Sequence, residues 1–311
     1  MFSGARLVVA FACLLVISVA GCHEGDGLQN LPPPNSDLLP PPSDRVLFAA
    51  IGDYGSDDVH EGDVANLVST MDPEFVITMG DNNYPNGARS TIDMNIGQYY
   101  SKYIGGYMGK YGIGSPINLF FPCVGNHEWY DSEGLQPYLD YFPDLPGNKR
   151  YFDFQMGLVH FYVVDSDPHE PDGNGPRSTQ AMWLQQTLAQ PTDACYKIVY
   201  FHHPPYSSGT FAVPWMQWPF AAWGADAVMS GHEHFYERLV VDGIPYFVNG
   251  LGGGNRFDFV PTPDTHSLFR FNEDWGAMFV AATKQSITYT FYSADGGKID
   301  ELTVTPKAPC P

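Results

Sequence analysis

Basic residues are scarce in this 311-residue chain: 15 lysines and arginines stand against 35 aspartates and glutamates, a formal net charge of −20. A surface this acidic repels a phosphate backbone and carries no basic patch, which excludes a nucleic-acid-binding module. Any anionic substrate must then be attracted by a local positive centre, such as a metal ion. Cysteine is also rare, five in all. None falls inside the polar clusters described below, which disfavours a structural zinc or an iron–sulfur cluster. No internal repeat divides the chain. What is plentiful is apolar and aromatic matter, 44% and 15% of residues, enough for one large α/β domain or two small ones.

The one long apolar stretch, LVVAFACLLVISVA, follows Arg6 and precedes small residues. It falls short of the ~20 residues of a membrane span and reads as an export signal over residues 1–21. Val19-Ala20-Gly21-Cys22 resembles a bacterial lipobox, in which Cys22 becomes the lipidated first residue. The expected location is therefore outside the cytoplasm: a lipoprotein in the periplasm or on the cell surface, or a secreted protein without lipidation. Residues 22–45 carry two PPP runs and read as an extended tether. The membrane would be met only through the anchor at Cys22, and a monomeric anchored domain over 46–311 is the default. Cys123 lies in an apolar run and is expected buried and free. A Cys195–Cys310 bridge would tie down the C-terminal tail, a pairing the sequence leaves open.

From residue 46 onward, short apolar runs end in polar clusters: VLFAAI then GDYG, FVITM then GDNNY, NLFFPCV then GNHE. Later come YKIVYF then HHPP, ADAVMS then GHEH, and IPYFV then NGLGGG. Such runs fit buried strands. VHEGDVANLVSTM and STQAMWLQQTLAQ fit helices, the second capped by Ser178 or Thr179. This rhythm specifies an α/β fold, whose ligands bind outside the carboxyl ends of the strands. HSLFRFN, GAMFVAAT, QSITYTFYS and IDELTVT alternate or nearly so, and read as antiparallel strands completing a second sheet. Residues 84–118 look irregular, a candidate rim.

The clusters hold Asp53, Asp81, Tyr84, Asn126, His127, His202, His203, His232 and His234. Singly, each is a turn, a cap or a loop feature. Together they offer carboxylate, amide, phenol and imidazole donors at strand ends, which is what a pair of metal ions needs. Two adjacent ions require a bridging donor, and the carboxylate of Asp81 provides one.

GDYG, GDNNY, GNHE, VYFH and GHEH, in that order, resemble the five signature blocks of the calcineurin-like metallophosphoesterases, and the tyrosine narrows the resemblance to purple acid phosphatases. The resemblance implies a two-sheet β-sandwich flanked by helices, with its site at the strands' carboxyl ends. It implies one metal on Asp53, Asp81, Tyr84 and His234, and a second on Asp81, Asn126, His202 and His232. The first would be Fe(III), whose phenolate charge transfer colours the family; the second would be divalent Fe, Zn or Mn. The implied function is an acid phosphatase acting on small phosphate esters, with a metal-bound hydroxide attacking in line. A phosphodiesterase or nucleotide pyrophosphatase on the same site is the alternative within enzymes, and an inactive surface binding protein the alternative outside them. His127 would contact phosphate, protonate the leaving alkoxide or support Asn126, and His203 would share that role or face solvent. Many members carry a further histidine nine or ten positions after the His202 equivalent; here the region reads YSSGTF, which leaves the general acid open. Glu128 is expected to support the ligands and Arg238 to be structural. Trp215, Trp218 and Trp223 are read as core or rim, with a pocket for an aromatic leaving group as the alternative.

Overall fold

In the computed structural model, Met1 and residues 44–310 are described. The expected signal segment, Cys22 and nearly all of the tether lie outside the described residues. Three β-branched or aromatic runs become the parallel strands β1 (Arg45–Ile51), β2 (Phe75–Thr78) and β3 (Phe120–Pro122). Between the first two lies helix α1 (Val59–Met71), capped by Asp58, whose side chain accepts from the backbone of His60 and Glu61. The rim segment holds only short helical turns, among them α2 (Gln98–Tyr100). It leads to β3 and then to α3 (Gln136–Tyr141).

A second sheet begins with the hairpin β4 (Phe152–Met156) and β5 (Val159–Val163). Helix α4 (Thr179–Leu188) follows, and of its two candidate caps Ser178 is the one used, accepting from Ala181 N. Strands β6 (Tyr196–Tyr200) and β7 (Ala227–Ser230) run parallel to β5, with the short helix α5 (Phe220–Trp223) between them. Then come β8 (Tyr236–Val241), β9 (Ile244–Asn249) and β10 (Ser267–Phe271). The sheet order is β10-β8-β9-β7-β6-β5-β4.

The last three strands, β11 (Gly276–Thr283), β12 (Ile287–Ser293) and β13 (Lys298–Val304), go elsewhere. They extend the first sheet, in the order β13-β12-β11-β1-β2-β3. The expectation that all four C-terminal strands complete one second sheet is thus corrected: only β10 joins it. The reason is burial. In β11 six of the eight residues are buried, a pattern that demands cover on both faces. It receives that cover beside β1, where Phe48 faces Val280. Strand β10 alternates between half-buried and exposed and suits a sheet edge.

The two sheets pack face to face through aromatic rings. Phe48 of sheet one stacks on Phe75 (5.2 Å) and meets Phe161 of sheet two edge-on at 5.0 Å. Across the same interface Tyr200 donates to Phe121 O (2.9 Å), and Arg238 on β8 makes a fork onto Asp300 of β13 (2.7 and 3.0 Å). Arg238 is therefore structural, as expected. Ala181, Leu184 and Leu188 of α4 cover the outer face of sheet two with Val164, Val199 and Phe201. Helix α1 lies against sheet one near β11. A disulfide joins Cys195 to Cys310, and Cys123 is buried and free. Among the described residues no helix is long and apolar enough to cross a membrane.

Candidate metal centre

The parallel strands of each sheet deliver their carboxyl ends to one place. Asp53 follows β1, Asp81 and Tyr84 follow β2, and Asn126 and His127 follow β3. From the other sheet, His202 and His203 follow β6, while His232 and His234 follow β7. Three of these residues, Asp53 (φ 57°), Asp81 (φ 50°) and His232 (φ 67°), adopt the left-handed conformation that side chains other than glycine rarely occupy. That turn aims each side chain back over its strand. Glycines permit the approach: a Cβ on Gly125 would come within 2.3 Å of Asp81 N, and one on Gly231 within 2.4 Å of Asp53 Oδ2.

Two groups of donors form around Asp81. In the first, the Tyr84 hydroxyl lies 3.1 Å from His234 Nε2, 3.3 Å from Asp81 Oδ2 and 3.5 Å from Asp53 Oδ1. His234 Nε2 is 3.3 Å from Asp53 Oδ1. In the second, His202 Nε2 lies 2.9 Å from Asn126 Oδ1, 3.1 Å from His232 Nδ1 and 3.2 Å from Asp81 Oδ2. The same oxygen, Asp81 Oδ2, faces both groups. The outer nitrogens are anchored to backbone carbonyls, His202 Nδ1 to Met79 O (2.7 Å) and His234 Nδ1 to Asn255 O (2.5 Å). Each carbonyl accepts the Nδ1 proton, which leaves Nε2 as the nitrogen turned toward the centre, the orientation of metal-ligating histidines. Phe257 lies flat on His234, 4.1 Å between centroids.

The electrostatics test whether metal ions fit. Burial, then the charges of Asp81 and Asp53, hold the Tyr84 phenol far above the ordinary ~10. A phenolate there requires a strong compensating cation. Burial also pushes Asp81 upward, but His202 and His127 overcome it and draw the carboxyl well below its usual range. His202 in turn is held as imidazolium by Asp81, against its own desolvation. A proton on His202 thus does part of what a cation would do. Two carboxylates, a phenol, an amide and three imidazoles suit transition metals better than calcium or magnesium, which favour all-oxygen shells. The donor set fits a pair of such ions.

Supporting groups surround the donors. Glu128 accepts from the backbone of Asn82 (2.8 Å), Asn83 (3.1 Å) and Gly125 (2.7 Å), pinning the second and third loops together. Burial and Asp81 push its carboxyl up to about 8. His127 donates its backbone N–H to Asp81 Oδ1 (3.0 Å), and its Nε2 lies 3.8 Å from Asp81 Oδ2. Its Nδ1 bonds Pro85 O, which leaves Nε2 directed at the centre. The solvent-facing alternative for His203 is corrected. This residue is buried, with Nδ1 2.9 Å from Ser166 Oγ and its ring 4.4 Å from that of His232. Desolvation and the neighbouring imidazoles push its pKa down.

The three tryptophans separate. Trp218 and Trp223 pack with Phe220 in the core behind sheet two, whereas Trp215 lines a cleft of about 400 Å³ that opens from Asn126, His203 and His232. The other side of that cleft comes from Asp167 and His169, which sequence reasoning missed. The signal was present. GLVHFYVV followed by DSDPHE is one more apolar run ending in a polar cluster, and it forms β5 and the loop beyond.

Comparison with known proteins places this geometry among relatives. Residues 41–236 match the family described as calcineurin-like phosphoesterase. Purple acid phosphatase 4 of Arabidopsis thaliana is 24% identical over 326 residues, 92% of this chain and 90% of that protein. Among solved structures, the purple acid phosphatase PPD1 from yellow lupin (Lupinus luteus) seeds superimposes with a TM-score of 0.68 at 20% identity, over 84% of this chain and 54% of that one. GAP50, the anchor in the inner membrane complex of Plasmodium, superimposes with a TM-score of 0.66 at 17% identity, over 85% and 90%. The two structural likenesses speak to the fold alone.

Proposed function

The chain belongs to the calcineurin-like phosphoesterase family, and from that premise we propose that it is an exported acid phosphatase with a two-metal centre. Asp53, Asp81, Tyr84 and His234 hold one ion in this reading. Asp81, Asn126, His202 and His232 hold the other, and Asp81 bridges. The observation that carries the reading is the single oxygen Asp81 Oδ2, placed 3.3 Å from the Tyr84 hydroxyl and 3.2 Å from His202 Nε2. The phenol argues for Fe(III) in the first position, and the more neutral second set suits divalent Fe, Zn or Mn.

A bound pair of this kind supplies Lewis acidity toward phosphoryl oxygens and acidifies a water. The protein does the rest. The backbone anchors of His202 and His234 fix ring orientation, so the donors need no rearrangement when substrate arrives. His127 Nε2 stands beyond Asp81 with the ring about one quarter exposed, placed to hydrogen-bond phosphate or to give a proton to the departing alcohol. His203 contributes a second imidazole at the inner end of the cleft, where it opens from the centre. With both ions bound, the charge at the centre would be locally positive, so the acidic chain would not repel a monophosphate there.

The test is metal analysis with a visible spectrum on the purified protein, alongside hydrolysis of p-nitrophenyl phosphate and bis-p-nitrophenyl phosphate. Two ions per chain, a visible band lost in Tyr84→Phe and preference for the monoester are expected. Preference for the diester would move the assignment to a phosphodiesterase. Two bound ions with no hydrolysis of either ester would leave a binding protein instead. The export signal and the Cys22 anchor belong to the same proposal, checked by acyl labelling of wild type against Cys22→Ala.

A further inference from the structure

Aromatic side chains are abundant in this protein, and among the described residues nearly all are at least partly covered. Among the described residues only three tyrosine, phenylalanine or tryptophan side chains are exposed: Tyr130 (54%), Phe211 (49%) and Trp215 (38%). All three line the cleft that opens from Asn126, His203 and His232. Three exposed aromatics gathered on one concave surface leave apolar area in water for a ligand to cover.

Each ring is held in place. The Trp215 indole donates to Ser166 O (3.2 Å), and Ser166 also binds the His203 ring, so one residue sets both. The Tyr130 hydroxyl accepts from Asn126 Nδ2 (2.9 Å). Phe211 donates its backbone N–H to Glu233 and rests its ring 5.6 Å from that of His232. A wall fixed in this way recognises shape at little entropic cost.

The charge of the cleft narrows the ligand further. Among the described residues lining it there is no lysine or arginine. Asp167 is there, paired with His169 Nδ1 at 2.7 Å. A di- or triphosphate, or a sugar bearing several phosphates, would find no lysine or arginine beyond the centre and would meet the Asp167 carboxylate. Phe211 also occupies the segment in which this chain lacks a histidine, so the wall facing the departing alcohol has an apolar ring there. A phenol departs readily, with a pKa of ~10, and needs less help from a proton donor than an alkyl alkoxide does.

We propose that this cleft is a leaving-group subsite for planar, uncharged aromatic alcohols, which makes aryl monophosphates the preferred substrate class. The proposal rests on the phosphatase reading above, with phosphate at the metal centre and the ring between Trp215 and Phe211. The step is P–O cleavage by water: the phenol takes one proton, and inorganic phosphate is the other product.

Phenyl esters are intrinsically reactive, so binding separates recognition from leaving-group ability. The metal-loaded full chain is titrated with phenylphosphonate and methylphosphonate, read by calorimetry. Phenylphosphonate should bind about tenfold or more tightly, and Trp215→Ala or Phe211→Ala should each remove most of that advantage while methylphosphonate binding stays within about twofold. The two variants come from different parts of the loop, and melting curves confirm that each folds. Equal affinity of wild type for the two phosphonates, or an advantage that survives both substitutions, overturns the subsite. Preferred hydrolysis of pyrophosphate over phenyl phosphate overturns it as well. Failure of the wild type to hydrolyse phenyl phosphate, with the phosphonate difference intact, would instead overturn the phosphatase reading.

Discussion

The two sheets bring different chemistry to the same centre. Sheet one, through the loops after β1, β2 and β3, supplies every oxygen donor: Asp53, Asp81, Tyr84 and Asn126. Sheet two, through the loops after β6 and β7, supplies the imidazoles His202, His232 and His234. Oxygen lies on one side and imidazole nitrogen on the other. Each proposed ion therefore draws ligands from both sheets, and neither sheet forms a site alone. The asymmetry also orients the centre. On the Tyr84 side Phe257 lies flat on His234, while the Asn126–His232 side faces the open cleft.

The strongest test of that division is Asp81→Asn. Removing the shared oxygen's charge should release both ions and drop hydrolysis to background; two ions retained in metal analysis would end the bridging assignment. His127→Ala is expected to be next in size. This imidazole comes from sheet one and lies outside the donor set, so kcat should fall by about 10²–10³-fold with metal content unchanged. Loss of metal in that variant would make His127 a ligand and blur the contrast between sheets. Tyr84→Phe should abolish the visible band and weaken only the oxygen-side ion, by about 10–100-fold, leaving the other in place.

The smallest effect concerns Glu233, a sheet-two carboxyl beside the donors. Burial raises it to about 7, although Phe211 N–H pulls the other way. A folded pKa above the unfolded ~4.3 means the fold prefers the neutral acid, so this contribution is fully present at low pH and is lost as pH rises from about 4 to 7. Denaturant titration of metal-free protein should show that loss, of about 1–3 kcal/mol, in wild type and its absence in Glu233→Gln. Identical pH slopes would show that Glu233 ionises freely beside the donors.

Much of this arrangement was legible before any coordinates. Apolar runs closed by GD, GNH or HH identify themselves because a buried parallel strand must be apolar throughout and can turn polar only where it leaves the sheet. That logic located β1, β2, β3, β6, β7 and β9, along with α1 and α4, and the polar residues after five of these strands are the ones the structure gathers in one place. It failed where texture was the guide. Strands β10 and β11 look alike as apolar segments, yet one is an edge and the other a centre, and partner choice depends on which sheet has an open side. Strands β4, β5 and β8 went unassigned, and Asp167 and His169 were lost with the loop after β5. The split of Trp215 from Trp218 and Trp223 was illegible for a similar reason: three tryptophans within nine residues cannot all face one way, and only packing decides which turns outward.

The disulfide has a consequence at the far end of the sandwich. Cys195 immediately precedes β6, at the end opposite to His202, and Cys310 follows β13 of the other sheet. A covalent clasp thus joins the sheets at one pole, and the proposed ions would join them at the other. Oxidation closes a loop spanning a sequence separation of 115 residues and limits how far the unfolded chain can open. Metal loading then adds stability that grows with free ion concentration. The two fastenings respond to different surroundings, one to redox potential and one to trace metal supply.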